Sequence, residues 1–235
     1  MSKNKKSNYT GITELLNIDN YLKNYNLKIV EKFVNDFKSK GPKILDFGAG
    51  IGTLSELYFK MTSTKPICIE TDIHNQNFLK KKRFEVYKSL QNINILFDSI
   101  FSCNVLEHIK NDQEVITNLY DNLRKDGLLF LYVPAFQFLY SEMDKSVGHV
   151  RRYEKKELIR KVKKSGFKIV YCNYADAIGF FASIIIKFFG YDTNKGIGSK
   201  KSLIFYNKIV GLSFFLDNLG FKKFLGKNIV LLAKK

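Results

Sequence analysis

The sequence predicts an α/β fold, in which a mostly parallel sheet carries helices on both faces. Two observations predict it: short apolar runs alternate with segments that carry apolar residues at helical spacing, and the first apolar run leads directly into a glycine-rich turn. The chain has 235 residues, of which 45% are hydrophobic and 26% charged, an ordinary globular balance. We therefore expect a single domain over residues 1–235.

The predicted elements follow one another along the chain. Residues Ile12 to Phe37 carry apolar side chains at helical spacing, which predicts one or two helices within an N-terminal segment, residues 1–40. A core, residues 41–174, follows. The runs suited to buried strands are Lys43–Phe47, Pro66–Glu70, Phe97–Ser102, Leu128–Val133, Phe167–Tyr174 and, beyond the core, Asn228–Ala233. The helices predicted between them are Leu54–Met61, His74–Lys82, Gln113–Leu123 and Lys155–Ser165.

Residues 175–227 interrupt this alternation. Ala177 to Phe189 is almost wholly apolar, and Leu203 to Leu225 is apolar and aromatic with interspersed lysines. The first stretch is shorter than the roughly 20 residues that span a bilayer. A helical cap over the sheet edge is favoured, and shallow contact with a membrane surface is the alternative.

Composition indicates a compartment and a charged surface. The N-terminus is polar and basic without the apolar run of a secretory signal, which favours a cytoplasmic protein, with a membrane-peripheral location as the alternative. A net charge of +17 attracts phosphates of nucleic acid or lipid, although a compositional bias toward lysine explains it equally well. The three cysteines lack metal-site spacing and are interpreted as reduced core residues.

The glycine-rich turn is the most informative motif. The strand residues Ile44 to Phe47 run into Gly48, Gly50 and Gly52, so a ligand can lie against backbone free of side chains. The dinucleotide-binding pattern G-x-G-x-x-G is absent in either register. Glu70 closes the next strand, where a carboxylate can accept both hydroxyls of a ribose.

Several segments in order resemble the motif series of class I S-adenosylmethionine-dependent methyltransferases. They are Asp46–Gly52, Glu70, Phe97–Ile109, Leu123–Leu128 and Val133–Ala135. The similarity runs from about residue 20 to the C-terminus. It implies a Rossmann-like, seven-stranded, mostly parallel sheet, with a helical insertion before an antiparallel last strand, residues 228–235. Tyr140–Asp144, Gly148–Tyr153 and Gly226–Val230 resemble a bacterial and archaeal branch linked to envelope and glycan functions.

The resemblance implies a role for each matching residue, with S-adenosylmethionine as the cofactor. Glu70 would hold the ribose diol, and Asn104 would border the methionine portion. The remaining cofactor residues would be Asp46, near the amino end, and the turn glycines Gly48, Gly50 and Gly52. Many relatives place an acid after the third strand to meet adenine, whereas Tyr87–Leu90 offers none, which leaves that contact to Ser89 or to backbone amides.

The loop after the fifth strand holds the candidates for catalysis, because ligands bind beyond the carboxyl ends of such strands. His149 is the preferred general base and Asp144 the residue that orients it. The alternative is structural: Asp144 pairs with Arg151, and His149 only donates a hydrogen bond. The predicted acceptor-binding residues are Tyr140, Arg151, Arg152, Tyr153 and His108. Glu107 and His108 could join a loose magnesium site, but we expect no required metal.

The acceptor class is predicted only in outline. We expect O-methylation of a small molecule, a saccharide or a lipid-linked saccharide. Methylation of RNA fits the charge, but Asn104–Glu107 lacks the proline–aromatic pair that grips a flipped base, so nucleic acid is disfavoured. A non-catalytic membrane-surface protein on a decayed methyltransferase fold is the other alternative, and the intact glycine turn argues against it.

Overall fold

A computed structural model describes residues 12–190 and 199–235 of the chain. Residues 1–11 of the predicted N-terminal segment and residues 191–198 of the predicted insertion lie outside the described residues. The described strands form one seven-stranded sheet in the order β3-β2-β1-β4-β5-β7-β6. Their bounds are β1 (Ile44–Phe47), β2 (Ile67–Ile69), β3 (Val86–Tyr87), β4 (Phe97–Cys103), β5 (Leu123–Pro134), β6 (Lys168–Ala175) and β7 (Asn228–Lys234).

Only β7 runs against its neighbours, pairing antiparallel with both β5 and β6. The other pairs, from β3 through β5, are parallel. The predicted sheet, including the antiparallel last strand, is therefore confirmed. The helices are α1 (Ile12–Tyr21), α2 (Lys23–Glu31), α3 (Val34–Lys38), α4 (Thr53–Thr62), α5 (Ile73–Lys81), α6 (Asp112–Asp121), α7 (Glu142–Ser146), α8 (Lys155–Lys164), α9 (Ala177–Phe189) and α10 (Lys200–Asn218).

Several elements differ from the prediction. The strand β5 begins at Leu123 rather than Leu128, and the two-residue strand β3 was not among the predicted runs. The N-terminal segment holds three helices rather than one or two, because the backbone leaves the helical region at Leu22 (φ −112°) and Phe33 (φ −123°). The helix predicted to reach Leu123 ends at Asp121, since Leu123 already pairs with Phe97 of β4. The short helix α7 was not predicted.

The helices cover both faces of the sheet, and neighbouring strand residues serve opposite faces. In β5, Leu129 packs with the cluster under α6 and α8, whereas Phe130 packs with the cluster under α2, α4 and α10. The ring of Phe33 from the linker between α2 and α3 lies 4.8 Å from that of Phe101 and 4.5 Å from that of Phe130, measured between centroids. Because both faces of the sheet are buried, the strand sequences are continuous apolar runs rather than alternating apolar and polar residues.

The insertion of α9 and α10 leaves the sheet at the edge where β5 ends. Ala175, Asn228 and Pro134 form one row across β6, β7 and β5, and α9 begins two residues after Ala175. The carboxylate of Asp217 in α10 accepts hydrogen bonds from the backbone N–H of Asp176 (2.8 Å) and Ala177 (3.1 Å). The first turn of α9 is therefore held by α10, which fixes both helices over the carboxyl ends of the strands. No described helix combines the length and the apolarity that spanning a bilayer requires.

Candidate active site

The turn after β1 is held against the end of β2 by backbone hydrogen bonds. The N–H groups of Gly48 and Ala49 both donate to the carbonyl of Ile69, at 2.9 Å. Gly48 has φ +82°, and a Cβ atom there would lie 2.3 Å from a methyl carbon of Val105. Glycine is required at this position because the turn is left-handed and passes directly beside the loop that follows β4.

Glu70, directly after β2, closes this turn. Its Oε2 accepts a hydrogen bond from the N–H of Gly50 at 2.8 Å, and its Oε1 accepts one from Asp72 at 2.8 Å. Burial raises the pKa of Glu70, and these backbone hydrogen bonds oppose the rise. The structure thus brings together the glycine turn and the carboxylate.

Asp46 lies beneath the turn and is buried. Its Oδ2 accepts a hydrogen bond from the Ser55 hydroxyl at 2.6 Å. Burial raises the pKa of Asp46 to about 7, the Ser55 hydrogen bond opposes the rise, and the nearby charge of Glu70 adds to it. Asp46 therefore holds a proton more readily than an ordinary aspartate.

A cavity of about 820 Å³ opens over these residues. Asp46, Gly48, Gly50, Glu70 and Asn104 all line it, whereas Gly52 lies behind the lining as the residue before α4. Asn104 has φ +54°, and its N–H donates to the carbonyl of Tyr132 at 2.8 Å, which turns the chain at the end of β4. The opposite side of the cavity is formed by α9 and α10, including Phe181, Ile185, Leu203, Phe205 and Ile209.

The predicted pair His149 and Asp144 meets at this cavity, and both residues line it. The His149 Nδ1 lies 2.7 Å from Asp144 Oδ1, which also accepts a hydrogen bond from Arg152 Nε at 2.9 Å. Burial alone would raise the pKa of Asp144, but His149 and Arg152 outweigh it and lower that pKa to about 2. Because an ionised carboxylate only accepts, Nδ1 of a neutral His149 carries the proton and Nε2 keeps its lone pair.

Glu107 is a further member of this group, although sequence reasoning considered it only as a partner of His108. Its side chain is fully buried, and neither carboxylate oxygen has a hydrogen-bond partner among the described residues. Its Oε1 lies 3.8 Å from His149 Nε2. Burial raises the pKa of Glu107 to about 7, and the charges of His149 and Arg152 oppose the rise. His149 therefore lies between two carboxylates.

The two predicted acceptor residues that line the cavity are His108 and Arg152. The Nδ1 of His108 lies 3.2 Å from the carbonyl oxygen of Gly148, and its ring makes an edge contact with the ring of His149, with centroids 4.8 Å apart. Burial and the neighbouring His149 lower the pKa of His108 to about 4. His108 is therefore a neutral imidazole at neutral pH.

The structure does not bring Tyr140, Arg151 and Tyr153 to the cavity lining. Tyr153 is buried, and its hydroxyl donates to Asp112 at 2.7 Å. Arg151 pairs with the same carboxylate at 2.8 Å, and the Tyr140 hydroxyl donates to the carbonyl of His149 at 2.7 Å. The predicted ion pair between Asp144 and Arg151 is therefore wrong, because Asp144 pairs with Arg152 and Arg151 pairs with Asp112.

Known proteins share this fold. Residues 18–171 match the protein family described as a methyltransferase domain. Among solved structures, an S-adenosylmethionine-dependent methyltransferase from Archaeoglobus fulgidus superposes with a TM-score of 0.64 at 17% identity, covering 94% of this chain and 99% of that chain. A cyclopropane synthase from Mycobacterium tuberculosis gives 0.54 at 14% identity, with 86% and 82% covered. No curated protein matches the sequence.

A third solved structure has the same fold. Magnesium protoporphyrin IX methyltransferase from Synechocystis, crystallised with S-adenosylmethionine, superposes with a TM-score of 0.53 at 12% identity, covering 89% of this chain and 79% of that chain. The fold is an α/β sheet with a cavity beyond its strand ends, lined by the glycine turn and Glu70. The family match spans more than half of the sequence, so the chain belongs to the methyltransferase domain family. It is an S-adenosylmethionine-dependent methyltransferase.

Replacing Asp46 with Asn removes a carboxyl group whose pKa is raised when the protein folds. The pKa of Asp46 rises from 3.8 to about 7, so this group's contribution to the free energy of unfolding is complete below about pH 4 and is lost as the pH rises through 7. We expect the wild type to lose up to about 1.4 kcal/mol per pH unit relative to Asp46→Asn across this window. Urea denaturation of the cofactor-free proteins at several pH values measures the difference, and parallel pH curves would contradict it.

Proposed function

We propose that this methyltransferase transfers the methyl group to an oxygen atom, a hydroxyl or carboxyl, of an amphiphilic acceptor at a cytoplasmic membrane surface. The acceptor class is a lipid-linked saccharide or a polyprenyl-type molecule. One observation carries this choice: α9 and α10 line the cavity and also expose aromatic side chains to solvent. The resemblance to an envelope-associated branch supports the same class.

The proposed reaction is an in-line displacement. The acceptor oxygen forms a bond to the methyl carbon, the carbon–sulfur bond breaks, and sulfur takes the electron pair to give S-adenosylhomocysteine. The hydroxyl proton moves to Nε2 of His149, which the carboxylate of Asp144 orients through Nδ1. The carboxylate of Glu107, 3.8 Å from Nε2, stabilises the imidazolium that forms. A carboxylate acceptor needs no such base.

We propose that the cofactor lies against the glycine turn. Glu70 accepts hydrogen bonds from the ribose hydroxyls, and Gly48, Gly50 and Gly52 keep the turn free of side chains. Asp46 and Asn104 lie on the methionine side. Arg152 and His108, the two acceptor candidates on the cavity lining, face the acceptor.

Replacement of Glu70 by Gln tests the ribose contact. Hydrogen bonds to a charged group contribute about 1.5–3 kcal/mol, so we expect S-adenosylhomocysteine to bind roughly 10- to 100-fold more weakly. Isothermal titration calorimetry measures the affinity. Glu85→Gln, an exposed carboxylate beside β3, is the matched control and should bind like the wild type. Equal affinity of wild type and Glu70→Gln would exclude the role.

Replacement of His149 by Gln tests the base. Loss of a general base slows transfer by about 10²- to 10⁴-fold, while the affinity for S-adenosylhomocysteine should not change. The rate is measured as label transferred from S-adenosylmethionine to a membrane extract of the host, with and without added imidazole. His74→Gln, an exposed histidine at the start of α5, is the control. An unchanged rate in His149→Gln would reject the assignment.

The surface of α9 and α10 supports the acceptor's location. Phe188 and Phe189 at the end of α9 are 75% and 86% exposed, and Phe205 and Phe215 of α10 are also exposed. Soluble proteins rarely present such patches unless the patch binds something. Lysines accompany these aromatic residues, namely Lys187, Lys200, Lys201, Lys208, Lys222 and Lys223. Aromatic side chains flanked by lysines suit an anionic lipid surface.

The aromatic surface and the cavity share residues. Phe181, Ile185 and Phe205 line the cavity and are exposed to solvent. An acceptor with an apolar chain can therefore keep that chain on the membrane side while its polar end reaches His149. This continuity favours an amphiphilic acceptor over RNA, which would need a basic surface at the cavity instead.

The double substitution Phe188→Ser with Phe189→Ser should weaken binding to anionic phospholipid vesicles. Burial of a phenylalanine contributes about 1.5–3 kcal/mol, so we expect a loss of roughly 10²- to 10⁴-fold for the pair. Vesicle flotation measures it. The control pair is Leu96→Ser with Val170→Ser, which removes exposed apolar side chains outside α9 and α10.

Label from S-adenosylmethionine should enter the lipid-extractable fraction of the host and do so more slowly with the Phe188 and Phe189 variant. Label in RNA or in water-soluble metabolites would contradict the proposed acceptor. Equal vesicle binding by the variant and the wild type would contradict the proposed surface. Absence of any label transfer would favour the non-catalytic alternative.

A further inference from the structure

The geometry points to a binding site for a divalent transition-metal ion of the zinc or iron(II) type, held by Glu107, His108 and His149 beside the acceptor side of the cavity. One ligand atom from each residue can be chosen so that all three lie within 4.8 Å of one another. This inference goes against the expectation from the sequence that no metal is required. It rests on the proposed function only in assigning the ion a role toward the acceptor.

The spacing of two of the ligand atoms is close to that of a loaded site. In a tetrahedral site with bonds of about 2.1 Å, two ligand atoms lie ~3.4 Å apart. The observed distance between Glu107 Oε1 and His149 Nε2 is 3.8 Å. Side-chain rotations that contract the set from within 4.8 Å would close it around an ion. Two imidazoles and one carboxylate form a ligand set that zinc and iron(II) use, and open positions remain for a further oxygen ligand.

Both imidazoles already have the outer partners that metal-binding histidines need. His149 Nδ1 lies 2.7 Å from the Asp144 carboxylate, and His108 Nδ1 lies 3.2 Å from the carbonyl oxygen of Gly148. Such partners accept the Nδ1 proton of a metal-binding histidine and orient its ring. In turn, Arg152 and Ser141 donate to Asp144, so the outer partner of His149 is itself held in place.

The unpartnered carboxylate of Glu107 is the second, independent observation. A buried carboxylate with no hydrogen bond is costly, and it persists in native proteins only where something else compensates it. The side chain is fully buried, and neither oxygen has a hydrogen-bond partner among the described residues. Its nearest cationic group is the imidazole of His149, which is neutral unless it gains a proton. A divalent ion between them supplies the missing positive charge.

An ion at this site changes the source of acceptor activation. It occupies the Nε2 lone pair that the proposed base would use, so the two roles exclude each other at one atom. A bound ion coordinates the acceptor oxygen and lowers the pKa of its hydroxyl, whose proton then leaves to solvent before methyl transfer. His108 and His149 line the same cavity as Gly48 and Glu70, so an ion held by them would lie in the cavity proposed to bind the cofactor.

Titration of the full-length chain, saturated with S-adenosylhomocysteine, with Zn²⁺ and Co²⁺ tests the site. We expect one equivalent of each ion to bind by calorimetry, with a visible absorption band for Co²⁺ on nitrogen and oxygen ligands. Glu107→Gln should abolish the band and weaken Zn²⁺ binding by about 100-fold or more, since even loss of an outer partner costs roughly 10- to 100-fold. Asp144→Asn should weaken it by roughly 10- to 100-fold.

His74→Gln is the matched control, because it removes the remaining histidine of the chain. It should bind both ions like the wild type. Intact binding of S-adenosylhomocysteine by Glu107→Gln shows that this variant is folded. The metal site is overturned if no stoichiometric ion binds, or if Glu107→Gln binds as tightly as the wild type, while the cofactor still binds. Failure of the cofactor to bind the wild type would instead overturn the proposed function.

Discussion

The hydrogen bond from the Gly50 N–H to Glu70 is the interaction on which the rest of the site depends. It joins the turn after β1 to the residue after β2 across 2.8 Å, and it exists because the two strands are parallel neighbours in register. The absence of a side chain at Gly48 brings Val105 against the same turn, so the end of β4 is fixed to it as well. Three strand ends thereby form one rigid floor beneath the cavity.

A balance of charge governs the group of side chains around His149. Asp144 and Glu107 are two buried carboxylates, and Arg152 is the guanidinium that neutralises one of them. His149 lies between the two acids, at 2.7 Å from one and 3.8 Å from the other. The group is therefore one positive charge short whenever His149 is neutral and both acids are ionised. A proton or a metal ion corrects that shortage, which is why both proposals for acceptor activation involve His149.

The sequence could predict the sheet and the contact between the glycine turn and Glu70 because those signals are local. Apolar runs mark strands buried on both faces, and glycines followed by a strand-closing Glu70 mark the ligand. The sequence could not predict which arginine in the loop after β5 pairs with Asp144. Arg151 and Arg152 are the same residue type, and only the direction of the backbone decides which one faces that carboxylate. The sequence also could not predict that Glu107 is buried. It lies after β4, beside the loop after β5 that contains Val150, and these two segments are distant in the chain.

The apolar character of residues 175–227 is evident from the sequence. The structure adds how the two helices of this segment are attached to each other and to the sheet. Asp217 caps the first turn of α9 from α10, so the two helices are fixed to each other where α9 leaves the sheet. Because Phe181, Ile185 and Phe205 both line the cavity and reach solvent, the opening of the cavity lies within the aromatic surface. Insertion of Phe188 and Phe189 into a lipid interface would bring that opening to the membrane without moving the strands. Selection of the acceptor and attachment to the membrane would then be one property of the same two helices.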